Sequence, residues 1–297
     1  MYKTYIYNNS DELSLNELIK FYETIYADKA SQIAKGENIS VAVLDSGVDF
    51  FHNRLVNKIY DTYNAVRDDK EALDQLGHGT YIAGLINGIN IGLCMNVKLH
   101  CVKITDDSNN FKITAKAVIK AIDWCINNKI DIVCMPFSSD IYDSDLEAVI
   151  KKGTHIHNMI FISSAGNDPK SISYPAKYDD VISVGSLDYS LKHAEFSGIG
   201  NELDITCIGV NIPSLYSYNR FAVSSGSSSS AAIATSLITI VQQLKLKEYN
   251  TKFNIFQLRK WIKNNSVDLG EIGHDSQYGF GIISFKNTKE NNYKLLI

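Results

Sequence analysis

The feature that most constrains the fold is an alternation along the chain. Short apolar runs rich in β-branched residues recur at "ISVAVLD" (39–45), "KLHCVKI" (98–104), "IDIVCM" (130–135), "MIFISSAG" (159–166) and "VISVGSL" (181–187). Each is too short for a helix of ordinary length and reads as a strand buried on both faces. Between and after them come helical patterns: "GTYIAGLING", "TAKAVIKAIDWCINNK", "DLEAVIKKGTHIH", "SSAAIATSLITIVQQLK" and "IFQLRKWIKNN". Strands alternating with helices predict an α/β fold, with a mostly parallel central sheet covered by helices on both faces. A further helix is expected over residues 13–26, with Leu15, Leu18, Ile19, Tyr22 and Tyr26 on one face, after the capping candidates Ser10 and Asp11.

Composition enters as a set of exclusions. The chain has 297 residues, 45% of them hydrophobic and 21% charged, with a net charge of -4. That suits a single large globular domain, and no repeat or Pro-rich linker divides it. Mild acidity without Lys/Arg clusters argues against nucleic-acid and membrane partners. No apolar run reaches membrane-spanning length, and the first residues carry no secretory pattern. The five cysteines (Cys94, Cys101, Cys125, Cys134, Cys207) are odd in number, lack CxxC spacing and lie in apolar contexts. They are expected to be buried free thiols in a reducing cytoplasm, with no metal site.

In an open α/β sheet, working residues gather outside the carboxyl ends of the strands. Asp45 closes the first such strand, His78 sits between two glycines at a helix start, and Asn167 follows another strand. A serine tract, "SGSSSSA" (225–231), precedes the long apolar helix. Each has a bland structural reading as a turn residue or helix cap. Together they supply a different chemistry. A serine hydroxyl becomes a nucleophile when a histidine takes its proton, and a carboxylate fixes that histidine's tautomer. An asparagine amide and a helix N-terminus can hold the oxyanion that results. The order Asp, His, Ser is that of subtilisin, and the G-x-S-x-G elbow of the α/β-hydrolases is absent.

The chain resembles the subtilisin-family (subtilase) serine peptidases over roughly residues 37–288. The resemblance rests on "VAVLDSGVDFFHNRL", "GHGTYIAGLI", "IDWCINNKIDIVCM", "SSAGND", "YPAKYDDVISVGSLD" and "YGFGIISF", in that order. It implies one subtilisin-like catalytic domain at 37–297, with residues 1–36 as an N-terminal arm and helix packed on it. Catalytic roles fall on Asp45, His78, Ser228 and Asn167. Within the tract, aligning the family's Gly-Thr-Ser motif on Gly226 puts Ser227 at the threonine and Ser228 at the nucleophile, ahead of its neighbours.

Several departures qualify the resemblance. Ala232 stands where the serine motif has proline, and "PFSS" (Pro136, Phe137, Ser138, Ser139) replaces a Ser-Leu-Gly-Gly substrate-binding strand. Pro136 lacks an N–H, and the side chains after it narrow the cleft, so a restricted peptidase is expected. The resemblance places Ser164, Ala165 and Gly166 on one wall of the primary specificity pocket, with Asp168 at its mouth and Ser173 at its base. It also implies a cis Tyr174–Pro175 bond. The segment 79–97, "GTYIAGLINGINIGLCMNV", is short and without acidic residues, so the calcium loop common in subtilases is expected to be missing. Only 44 residues precede Asp45, too few for a folding propeptide, so the chain is expected to fold unaided in the cytoplasm with residues 1–12 near the cleft. The expected partner is a peptide bound as an extended strand, without a cofactor. Three functions remain: removal of a leader peptide from a lantibiotic-type precursor, general intracellular turnover, or peptide binding without cleavage.

Overall fold

The computed structural model describes residues 3–10, 13–290 and 295. In chain order the elements are β1 (Lys3–Tyr7), α1 (Asn16–Thr24), α2 (Ala27–Ile33), β2 (Ser40–Asp45), β3 (Ile59–Asn64), α3 (His78–Asn87), β4 (Lys98–Lys103), β5 (Thr105–Asp106), β6 (Lys112–Ile113) and α4 (Ala115–Asn127). They continue with β7 (Ile132–Met135), α5 (Ser144–His157), β8 (Ile160–Ser164), β9 (Val181–Leu187), β10 (Ile205–Ile208), β11 (Ile212–Tyr216) and β12 (Arg220–Ser225). The last are α6 (Ser227–Tyr249), α7 (Ile255–Asn265), β13 (Ser266–Val267), β14 (Ile282–Ile283) and α8 (Lys286–Glu290).

Seven strands form one sheet in the order β10-β9-β8-β7-β2-β4-β3, and every pairing in it is parallel. The expected α/β architecture is therefore present. The five apolar segments expected as strands and the five helical segments between and after them fold as read, because each strand must be apolar on both faces to lie between two helical layers. One core holds α3 and α6 against the sheet, and a second holds α4 and α5 against the other face. Helix α6 is buried at every residue from Ser227 to Lys245, as a helix apolar all round must be. Among the described residues no helix is long and apolar enough to cross a membrane.

The chain leaves β2 toward β3 and β4 on one side, and returns past it to build β7 through β10 on the other. Strand order reverses at β2, and the crevice at its carboxyl end is where such sheets bind ligands. A second, three-stranded antiparallel sheet, β1-β12-β11, stands beside that crevice.

The N-terminal helix differs from the expectation. It is split in two at Tyr26, whose φ of 60° lies in the left-handed region and cannot continue a helix. Leu18, Phe21 and Tyr22 are buried, whereas Ile19, expected on the core face, is exposed. Ser10 does not cap this helix, which begins beyond Leu15 without a side-chain cap; Asp11 lies outside the described residues.

Candidate active site

Asp45 ends β2, and α3 opens with His78 just across the crevice. The imidazole Nδ1 lies 2.7 Å from Asp45 Oδ2 and 2.8 Å from Oδ1. The carboxylate also accepts the Ser46 N–H at 2.6 Å. With Nδ1 held as the donor to a carboxylate, Nε2 is the ring nitrogen left to accept a proton.

Two glycines make this approach possible. A Cβ on Gly79 would sit 2.0 Å from the Gly47 carbonyl oxygen, so the first turn of α3 packs on the loop after β2 only without a side chain. Gly77 has φ +96°, a left-handed conformation that glycine adopts without strain.

Asp74, a residue that motif reading missed, builds the rest of the His78 support. It is buried, with 1% exposure, and accepts hydrogen bonds on both oxygens. Oδ1 takes the N–H groups of Leu76 (3.0 Å) and Gly77 (2.8 Å) and the Ser46 hydroxyl (2.8 Å). Oδ2 takes the Thr80 N–H (2.8 Å) and hydroxyl (2.6 Å). A carboxylate at this place satisfies the orphan N–H groups of α3 and complements its dipole. The Ser46 hydroxyl in turn accepts from the Gly79 N–H at 2.9 Å. Tyr216, also missed, donates its hydroxyl to the Leu76 carbonyl at 2.7 Å. Neither residue has a motif of its own; an acid four residues before a histidine is the one signal that sequence offered for Asp74.

The serine tract enters α6 behind Gly226, and its four hydroxyls have different surroundings. Ser227 donates to Asn167 Oδ1 through its N–H (2.9 Å) and its hydroxyl (3.0 Å). Ser229 pairs with the Tyr81 hydroxyl at 3.0 Å. Ser230 donates to the Cys207 and Ile208 carbonyls at 3.0 and 3.1 Å. Ser228 Oγ, buried, has no hydrogen-bond partner among the described residues. Because a backbone N–H can only donate, the bond from Ser227 fixes the Asn167 carboxamide with its oxygen toward the helix and leaves the NH₂ as donor. The first-turn N–H groups of α6, Ser228 among them, have no acceptor within the helix.

His78, Asn167, Ser227 and Ser228 line one cavity of about 400 Å³, together with Pro136, Phe137, Ser138 and Ser164. Thr4, Leu76 and Tyr216 also line it. The other pocket residues expected from sequence lie elsewhere. Ala165 is buried in a small separate cluster, and Asp168 is exposed, accepting from the Lys170 N–H. Ser173 sits behind Gly166 and donates to Asp140 at 3.2 Å. Ser139 exchanges backbone hydrogen bonds with Tyr174 at 2.8 Å each way and lines a second, largely apolar cavity of about 320 Å³ with Ile113, Val118, Ile141 and Leu146. The Tyr174–Pro175 bond is cis.

The stretch after α3 does not fit a calcium ion. It offers no carboxylate, and the Arg54 guanidinium donates to the Ile89 carbonyl at 3.2 Å, placing a positive charge where a cation would need acceptors. All five cysteines are free and buried; burial pushes the Cys134 and Cys207 thiols up to about 12, so neither is an ionised nucleophile near neutrality.

The chain is similar in sequence to known proteins. The sequence pattern of the Subtilase family matches residues 36–281. The chain is 32% identical over 258 residues to the minor extracellular protease Epr of Bacillus subtilis, covering 84% of this chain and 38% of that protein. It is 29% identical over 271 residues to subtilisin DY of Bacillus licheniformis, covering 88% of this chain and 94% of that one. It is 28% identical over 262 residues to the major intracellular serine protease of Bacillus subtilis, covering 83% and 82%. The chain thus spans well under half of the first relative and nearly all of the second. With the family pattern matched across most of its length, the chain belongs to the subtilase family of serine peptidases.

Proposed function

We propose that the protein is a serine endopeptidase in which Ser228 is the nucleophile, His78 the general base, Asp45 its orienting carboxylate and Asn167 an oxyanion donor. One observation carries the reading: Ser228 alone in the tract has an unengaged hydroxyl, and it shares a cavity with a histidine whose far nitrogen is held by a buried carboxylate.

Ser228 Oγ attacks the scissile carbonyl carbon while its proton passes to His78 Nε2, and Asp45 stabilises the imidazolium. The oxyanion is met by the Asn167 NH₂ and the Ser228 N–H at the α6 N-terminus. His78 returns the proton to the leaving amine, and water then hydrolyses the acyl-enzyme through the same base.

The substrate is proposed to lie along Pro136–Ser138 as an added strand. Strand alternation supports this, because Ser139 turns its backbone to Tyr174 and Ser138 therefore faces the cavity side. Side chains at Phe137 and Ser138 crowd that edge, favouring a restricted task such as leader-peptide removal from a lantibiotic-type precursor. General intracellular turnover is the second reading, supported by the likeness to a protein named as an intracellular protease. Five unpaired buried cysteines support a reducing, cytoplasmic setting.

Fluorophosphonate labelling with mass-spectrometric mapping is the test. Label on Ser228 that vanishes in His78→Ala is the expected result; an unlabelled tract would overturn the peptidase reading and put peptide binding without cleavage in the lead. Casein cut at many sites would favour turnover over leader processing.

A further inference from the structure

Strand β4 is buried after Lys98, yet it ends in a lysine. Lys103 is only 3% exposed, and an ammonium so enclosed is costly unless it is hydrogen-bonded and charge-paired. Its Nζ donates to the Ser46 carbonyl at 2.8 Å and to the Leu73 carbonyl at 2.9 Å. The Asp107 carboxylate, partly exposed, lies 2.9 Å from the same nitrogen. A side chain that served packing alone would need no charge at this place.

The two carbonyls belong to particular neighbours. Ser46 follows Asp45, and Leu73 precedes Asp74, the two acids that hold His78 and the start of α3. Lys103 also stands beside Asp45 in the parallel pairing of β2 with β4. One ammonium therefore ties together the two segments on which the placing of the imidazole depends. Its positive charge also lies behind two carboxylates that by themselves favour an imidazolium, which cannot take a proton. The other charged groups packed around this point are Asp49, whose N–H donates to Thr80, and Arg67, Glu71 and Asp106, which line a cavity of about 510 Å³ with Lys103. Resting on the peptidase reading above, we propose that Lys103 is a positioning residue for His78: it holds the Asp45 and Asp74 segments together and offsets their charge, so that the imidazole is kept as a neutral proton acceptor.

The test follows a fluorophosphonate probe on the full chain. Ser228 Oγ displaces fluoride from phosphorus while His78 takes the hydroxyl proton, so the second-order rate constant against pH reports the state of the imidazole. The final extent of labelling counts the sites that are assembled. Lys103→Met should slow labelling per site about tenfold and move the acid limb up by roughly half a pH unit, because it removes both the tie and the charge. Lys103→Arg keeps the charge and should leave the acid limb in place. Asp107→Asn, on the partly exposed side, removes a negative charge and should move the limb the opposite way. Lys103→Met with an unchanged rate and acid limb, whatever its thermal midpoint, would reduce Lys103 to a packing residue and overturn the proposal, as would an equal shift in Lys103→Arg. Should Lys103→Met fail to fold, Asp107→Asn decides: an unmoved limb there overturns the proposal. No label on the unmodified chain at any pH would instead overturn the peptidase reading itself.

Discussion

A Cβ on Gly77 would lie 2.3 Å from Cζ of Tyr216, so the tyrosine ring occupies the space that any side chain before His78 would need. The same tyrosine donates to the Leu76 carbonyl, one residue earlier. Ring and hydroxyl together hold the loop from which His78 enters α3. Gly77→Ala meets both that ring and a φ of +96°, and should cost about 1–3 kcal/mol of stability and lower kcat at least tenfold, on the order expected for strain at a special backbone position. Tyr216→Phe, which keeps the ring, should cost only about 1 kcal/mol, the net value of one hydrogen bond. Thermal melts and steady-state kinetics on both variants check the contrast.

Asp74 should behave as a positioning residue. An amide in its place has one acceptor oxygen and must turn two donors toward N–H groups or a hydroxyl. Asp74→Asn is therefore expected to cost roughly 2–3 kcal/mol, as buried donors lose their acceptor. It should also reduce kcat with little change in KM, because the cleft strand at Pro136–Ser138 is untouched. A matching rise in KM would mean the cleft itself had shifted.

The serine tract offers an internal control. Ser228→Ala should lower kcat by on the order of 10⁴-fold or more. Ser229→Ala and Ser230→Ala remove hydroxyls that bond to Tyr81 and to the β10 carbonyls, so stability should fall by about 1 kcal/mol each with kcat nearly retained. Equal losses from all three would show that the tract acts only as a helix start.

Asn167→Ala should lower kcat a hundredfold to a thousandfold, about the loss expected when one oxyanion donor is removed. Ser227→Ala loosens the same carboxamide by one of its two bonds and should give a smaller loss. Identical losses would place Asn167 outside the oxyanion site.

His100 predicts an acid-side loss of stability. Burial against Tyr60 and Trp124 pushes this imidazole down to about 4 from an ordinary value near 6.5. Between those values the unfolded chain takes up a proton that the folded chain refuses, so stability rises with pH across that window and falls as pH drops through it. His100→Phe keeps the ring packing and cannot titrate. Its thermal midpoint should depend less on pH between about 4 and 6.5 than that of the unmodified chain.

Much of this was legible in the chain, for a physical reason. Strands buried on both faces are apolar at every position, so β2, β7, β8 and β9 announced themselves, and so did the fully buried α6. Strand β3 did not: "IYDTYN" lies at the sheet edge, where Asp61 and Asn64 are tolerated and no apolar run forms. Strand β11 carries Pro213, and β12 runs through Ser224 and Ser225 into the serine tract, which reads as loop. Asp45, His78, Asn167 and Ser228 could be singled out as candidates because each sits in a local motif. Asp74 and Tyr216 could not: Asp74 acts through Ser46 and the start of α3 without a motif of its own, and Tyr216 acts only because two segments 140 residues apart meet at Leu76.

The burial of α6 also sets a clock. Ser228 stands on the first turn of a helix enclosed by the core, so the amides in the middle of that helix can exchange with solvent hydrogen only when much of the core opens, and the serine's support goes with them. Wear and repair at this serine are then not local events. Loss of labelling over time should keep pace with whole-molecule unfolding, without a long-lived population that is folded yet inert.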